Sequence, residues 1–292
     1  MKRKFSLFLS VALMMVIAGC SANATPSSEE SEVTDGGDRI IATTVAVTEI
    51  MDALEIDLVG IPTSYKDLPQ RYEGLTEIGN PMKPDMEIVL SLKPTEVMSV
   101  STLKSDLDSI FSDRNVNTSY LNLQTIEDMQ NEILDIGERF DRQEQAAAIV
   151  QKFEDKAEEI KQRTAGQEQP SVLILLGVPG SYLVATENSY IGDLVKQAGG
   201  KNVITGESVE FLASNTEYLQ KSNPDIILRA AHGMPEEVVE MFDKEFKEND
   251  IWKHFNAVKN DRVYDLEETL FGTTGNLAAT EALDELLEML YN

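Results

Sequence analysis

"EIVLSLKPTEVMSV" (residues 87–100) and "EYLQKSNPDIILRA" (residues 217–230) follow one plan. Each opens on a glutamate and runs through a short helical stretch to a proline seven residues on, Pro94 or Pro224. Each then passes a small acidic or polar residue, Thr95 or Asp225, and enters a β-branched strand. A phrase of helix, proline and strand written once in each half of the chain predicts two α/β lobes built alike. No tandem repeat of solenoid period accompanies it, so this is a two-fold pseudo-repeat.

The flanking sequence extends the same grammar. "RIIATT" (residues 39–44) reads as a short strand, and in the following "VAVTEIMDALEI" the residues Val47, Ile50, Met51 and Leu54 recur at helical spacing. "DLVGIPTSYK" (residues 57–66) reads as a strand running into a proline-containing loop. Alternation of this kind predicts an open α/β sheet. In the second half "SVLILLGV" is a fully buried strand, and "SYIGDLVKQAGG" is a helix capped by Ser189 and ended by Gly199 and Gly200. "PDIILRAAHG" gives a further strand, "IWKHFNAVKNDRVYDL" a helix and strand, and "NLAATEALDELLEMLY" a terminal helix.

Between the halves, residues 141–165 contain no Gly or Pro and place Ile149, Phe153, Ala157 and Ile160 on one face. Such a helix spans on the order of 35 Å, enough to cross from one lobe to the other. A single rigid crossover would limit hinge closure. The expected organisation is therefore two Rossmann-like lobes, residues 39–140 and 167–292, joined by one long helix over residues 141–166 around a cleft.

Ahead of residue 39 the chain carries a different signal. Lys2, Arg3 and Lys4 precede an apolar run from Phe5 to Ile17, then Ala18, Gly19 and Cys20. The run is shorter than the ~20 residues of a spanning helix, so residues 1–20 read as a secretory signal peptide. Small residues directly before Cys20 resemble a bacterial lipobox, whose cysteine becomes the lipidated N-terminus and anchors a domain through acyl chains, palmitate among them. Residues 21–38, rich in Ser and acids, read as a flexible tether. Cys20 is the sole cysteine, which leaves no disulfide framework. The expected location is the extracellular face of the cell membrane, lipid-anchored.

Composition excludes several functions. Lys and Arg total 25 against 51 Asp and Glu, a net charge of -26. Phosphate binding needs the opposite sign, so nucleic acid is an unsuitable partner. The acids read as a solvated surface. The phosphate-cradling pattern G-x-x-x-x-G-K-[ST] is absent, as is a G-x-S-x-G elbow, and the expectation is that the protein is not an enzyme. The only histidines are His232 and His254, too few for an imidazole-rich cage around a bare metal ion.

His232, in "LRAAHGMP", stands at the C-terminal end of a strand, where open α/β sheets meet their ligands. By position it reads equally well as a loop histidine bonded to backbone. His254 falls on a surface helix. Met82, in "GNPMKP", lies on a turn stiffened by Pro81 and Pro84. Methionine is ordinarily pliable core filler, but a fixed backbone suits a side chain that must be presented. Methionine with histidine is a ligation mode for iron porphyrin, and Met82 and His232 come from opposite lobes. Haem also carries two propionates. Thr44 can cap a helix whose first free N–H groups belong to Val45 and Ala46, and Ser64, Tyr65 and Lys66 follow the next strand. Capping and loop polarity alone would also account for these residues.

"TTVAVTEIMD", "GIPTSYK", "RAAHGMPEEV", "GVPGSYLVATENSYIGDLVKQAGGKNV" and "NDIWKHFNAVKNDRVYDLEE" resemble the class III substrate-binding lipoproteins of ABC importers. The likeness is nearest to the IsdE-type haem-binding lipoproteins of the iron-regulated surface determinant system of Gram-positive bacteria. The resemblance covers nearly all of the chain from Arg39 onward and implies the class III periplasmic-binding-protein fold. It implies haem b as the transported ligand, with Met82 and His232 on the iron and porphyrin contacts at Val45, Ala46, Ser64 and Tyr65. Glu87 and Glu217, one per lobe, would dock on arginines of an ABC permease served by its ATPase, and cell-wall proteins would donate the haem. Two alternatives stay open: a protein of this fold for a siderophore or corrinoid, and an extracytoplasmic electron-transfer haem protein, although no C-x-x-C-H is present for covalent attachment.

Overall fold

The computed structural model describes residues 37–215, 219 and 221–292. Cys20, the signal segment and most of the tether lie outside the described residues, as does Glu217. The fold starts with β1 (Ile40–Ala42), whose three residues are all buried, followed at once by α1 (Val45–Ala53). α1 begins where Thr44, in extended conformation, turns its Oγ1 to accept the Val47 N–H at 3.3 Å. A short hairpin of β2 (Gly79–Asn80) and β3 (Lys83–Pro84) leads into α2 (Met86–Ser91), which is capped by Asp85. The buried strand β4 (Glu96–Val100), α3 (Lys104–Ser112) and β5 (Thr118–Leu121) complete the first sheet. Its order is β1-β4-β5, all parallel, with Ile41 opposite Val97 and Met98 opposite Ser119.

The strand expected ahead of the proline-containing loop in residues 57–66 does not form a continuous ladder. Only Gly60 and Ile61 form isolated bridges, to Ile41 and Glu77. Val59 N–H still reaches Ile40 O at 2.8 Å and Gly60 O accepts Ala42 N–H at 3.1 Å. Pro62 then follows, without an N–H to continue a ladder, and the chain leaves as a loop.

α4 (Ile126–Arg139) and α5 (Gln143–Arg163) form a helical hairpin. The turn between them passes through Asp141 in left-handed conformation, φ 55°. The close approach of the two helices depends on Gly137, where a Cβ would meet that of Ala146 at 2.5 Å. α5 buries Ala146, Phe153 and Ile160; of the stripe expected from the sequence, Phe153 and Ile160 are buried, Ile149 is half-buried and Ala157 is exposed.

The second sheet is built on β6 (Ser171–Val178), β7 (Ser181–Ala185), β8 (Lys201–Asn202), β9 (Phe211–Ala213), β10 (Ile226–Ala231) and β11 (Val263–Leu266). The path β11-β10-β6-β7-β9 has β8 alongside β6. It is mixed rather than a repeat of the first sheet, because β6 turns back on itself through Gly180 at φ 81° and β7 pairs antiparallel to both β6 and β9. Its helices are α6 (Tyr190–Gln197), α7 (Pro235–Glu248), α8 (Asn256–Lys259) and α9 (Ala279–Tyr291). The "IWKHF" segment is a 3₁₀ turn, Asp250–His254, ahead of the short α8. Among the described residues no helix is long and apolar enough to cross a membrane.

The halves share one core. Met51, Leu123 and Met129 from the first half belong to the same buried cluster as Phe153, Leu194 and Leu286. Polar contacts pin the junction. Asp193 Oδ2 accepts the Ile126 N–H at 2.9 Å, capping α4 from the opposite half, and Leu123 O accepts the Gly275 N–H at 2.7 Å. A continuous apolar core at the base resists hinge opening more than a lone connecting helix would.

Candidate functional site

The open ends of the two sheets face each other across a cleft of about 1640 Å³. That is larger than the roughly 300–1,000 Å³ of drug-sized ligand pockets, so the space suits a large ligand. Val45, Ala46, Ser64, Tyr65, Met82 and His232 all line it.

On the first half, α1 aims its N-terminus at the cleft. Thr44 Oγ1 engages Val47 N–H, and the amides of Val45 and Ala46 precede any intrahelical partner. Next to them, Ser64 Oγ accepts the Lys66 N–H at 2.9 Å, which curls residues 64–66 into a tight turn. Met82 rides on the tip of the β2–β3 hairpin. Gly79 supplies the left-handed φ of 96°, Asn80 Oδ1 accepts the Met82 N–H at 2.8 Å, and Pro81 and Pro84 bracket the tip. The thioether is 60% exposed, whereas Met51, Met98 and Met129 are fully buried. Exposure removes the core-filler explanation for Met82: a large apolar side chain held out by a stiff turn fills no buried space.

On the second half, β10 ends at Ala231, and the His232 N–H donates to Gly177 O at 2.9 Å, extending the ladder by one residue. Gly233 (φ 73°) and Met234 (φ 49°) then adopt left-handed conformations before Pro235 starts α7. Left-handed backbone at a non-glycine residue is strained, and such strain gathers where a side chain must be aimed. The backbone of His232 is bonded, as its loop position predicts, but among the described residues nothing hydrogen-bonds its imidazole.

The cleft also contains groups that sequence reasoning did not single out. Glu268 is only 8% exposed and accepts the Tyr65 hydroxyl and, at 3.1 Å, the Gly233 N–H. Lys66 Nζ donates to Glu268 O at 3.2 Å and lies 3.9 Å from its carboxylate. Desolvation, together with the hydrogen bond to Glu268 and its charge, pushes the Tyr65 phenol up to about 12. Glu49, one turn into α1, is half-buried; burial raises its carboxyl above the usual range while Lys66 opposes the rise. Arg229 adds no free positive charge to the cleft wall. It is held by Asp265 at 2.5 Å and Asp243 at 3.0 Å, with its guanidinium over the rings of Phe242 and Phe246. Lys66 is thus the cation best placed to meet a ligand anion. The acids came from "DLEE" and "VAVTE", and no spacing in either marks them as cleft residues.

Glu87 stands elsewhere, exposed in the first turn of α2, where its N–H donates to Asp85 Oδ1 at 2.9 Å. Among the described residues no group of three or more His, Cys, Asp or Glu side chains could hold a bare metal ion.

Residues 40–270 match the periplasmic binding protein family. The chain is 47% identical over 286 residues to the high-affinity haem uptake system protein IsdE of Staphylococcus aureus strain Newman, covering 98% of this chain and 97% of that protein. The crystal structure of S. aureus IsdE complexed with haem superposes with a TM-score of 0.84 at 50% identity, over 88% of this chain and 100% of that one. An ABC transporter substrate-binding protein from Listeria monocytogenes EGD-e gives 0.83 at 58% identity, over 87% and 98%. This chain therefore belongs to the periplasmic binding protein family, with the class III fold of ABC-importer binding proteins, in the group that contains IsdE.

Proposed function

We propose that this protein is the haem receptor of an ABC importer. The observation that carries the reading is the presentation, from opposite walls of one wide cleft, of an exposed methionine, Met82, and an imidazole, His232, that has no hydrogen-bond partner among the described residues. It is supported by the likeness to a relative crystallised with haem. A porphyrin lying in the cleft would offer one iron face to each side chain, and no bond within the ligand is made or broken. Methionine is a neutral, weak donor, so the Fe–S bond yields first when haem is handed on. The propionates would take the free amides of α1 at Val45 and Ala46, the Ser64 and Tyr65 hydroxyls and the Lys66 ammonium.

The same reading extends beyond the described residues. Cys20 would carry the lipid anchor that holds the protein at the extracellular face of the membrane, with residues 21–38 as its tether. Glu87 and Glu217 would dock on arginines of the permease, and cell-wall haem proteins would act as donors. Glu87 is exposed and away from the cleft, as a docking residue needs to be. Its first-turn position is also one that the helix dipole favours in any protein.

Titrating the soluble part after Cys20 with haem tests the core of this reading. A Soret band that saturates at one haem per protein is expected, and Met82→Ala and His232→Ala should each change the ligand-field bands. Retention of the parent spectrum by both variants would overturn the ligand assignment. Retention of tight haem uptake without either band shift would favour a pocket that needs no axial pair, as for a siderophore or corrinoid.

A further inference from the structure

The groups best suited to receive a ligand carboxylate are already engaged by a carboxylate of the protein. Glu268 sits on the loop after β11, in the second half, yet it accepts the hydroxyl of Tyr65 from the first half. Its carbonyl and carboxylate hold Lys66, and its carboxylate also takes the Gly233 N–H beside His232. Tyr65 is otherwise 73% exposed, so this contact fixes a side chain that little else restrains. The burial of Glu268, at 8% exposure, leaves its charge little water to fall back on.

Resting on the haem reading above, we propose that Glu268 is an internal competitor for the ligand's propionates: it occupies Tyr65 and Lys66 across the cleft, and a propionate must displace it from them. Two carboxylates on one tyrosine and one lysine repel, and within a partly desolvated cleft that repulsion is far stronger than in water. Glu268 therefore lowers affinity and speeds release, as a protein that must pass its ligand on requires. The bond to Gly233 ties the same carboxylate to the turn that carries His232. Movement of Glu268 away from an arriving propionate is thereby communicated to the histidine side of the cleft.

The test compares haem with its propionate dimethyl ester, which has the same ring and iron but no carboxylates. Release from the parent protein and from Glu268→Gln is followed by transfer to excess apomyoglobin. Glutamine keeps an oxygen for Tyr65 and Gly233 but removes the charge. Haem release is expected to slow by about three- to tenfold in the variant, while release of the ester is unchanged or faster. Unchanged or faster release of haem, or equal slowing for both porphyrins, would overturn the proposal. Glu268→Asp, which withdraws the charge from Tyr65 by one methylene, should fall between the two and keeps the test open if the glutamine variant folds poorly. Absence of a Soret band in the parent protein would sink the haem reading and this proposal together; a normal band with no propionate dependence would sink this proposal alone.

Discussion

Gly177 is the position where backbone, helix packing and the histidine side of the cleft are coupled most tightly. It lies in β6, opposite Ala231 of β10, and its carbonyl accepts the His232 N–H at 2.9 Å. A Cβ built there would collide with Val238 Cγ1 and would meet Phe242 Cε2 at 2.7 Å. Ordinary carbon contacts sit near ~3.5–4 Å, so Gly177→Ala forces α7 back by about an ångström. Overpacking of this kind costs typically about 1–3 kcal/mol, and this site belongs at the upper end because both opposing side chains are fully buried. Against that, an alanine in a strand recovers about 0.5–1 kcal/mol of backbone entropy relative to glycine. The net loss is about 2 kcal/mol, which for a chain of this size lowers the melting midpoint by roughly 4–8 °C. Retreat of α7 also shifts the turn through Gly233 and Met234, so haem affinity should fall with stability. Thermal unfolding followed by circular dichroism, with haem titration of the same samples, measures both. Val238→Ala removes the colliding methyls, so combining it with Gly177→Ala should cost less than the sum of the two single changes. A Gly177→Ala protein that melts within about 1 °C of the parent, or a strictly additive double variant, would refute the close-packing account.

Two further outcomes follow from polar groups at the cleft and the junction. Thr44→Ala removes the cap of α1 and should cost about 1 kcal/mol, read as a lowered denaturant midpoint with an unchanged slope. Asp193 gives a pH dependence. Burial raises its carboxyl above the ordinary 3.8, opposed by the Ile126 N–H, Lys196 and Gln197. A carboxyl whose folded value is raised contributes stability that is complete below its unfolded value and is lost as pH rises through the folded one. Asp193→Asn keeps an oxygen for Ile126 and removes the charge. Its melting midpoint should therefore decline less than the parent's as pH rises from about 4 to about 7. Parallel curves for the two proteins would show that the buried carboxyl does not titrate in that window.

Local pattern in the sequence determined the elements. The β-branched stretches "RIIATT" and "PDIILRA", the helical stripe of Phe153 and Ile160 and the cap at Ser189 reappear as β1, β10, α5 and the start of α6, because periodicity and capping act within a turn or two of chain. The departures were local as well: only isolated bridges form at Gly60 and Ile61 where a strand was expected, and one hairpin at Gly180 made the second sheet mixed. What the sequence could not decide was whether Met82, though marked by its flanking prolines, faces open space or a core, and which acid is held. The prolines beside Met82 mark a stiff turn, but that its side chain stands exposed while Met51 and Met98 are buried depends on what packs against the hairpin. Glu268 meets a tyrosine 203 residues away, and α4 is capped by an aspartate 67 residues further along. Contacts over such separations are set by the crossings between sheets, and those crossings are fixed by burial of a core to which both halves contribute.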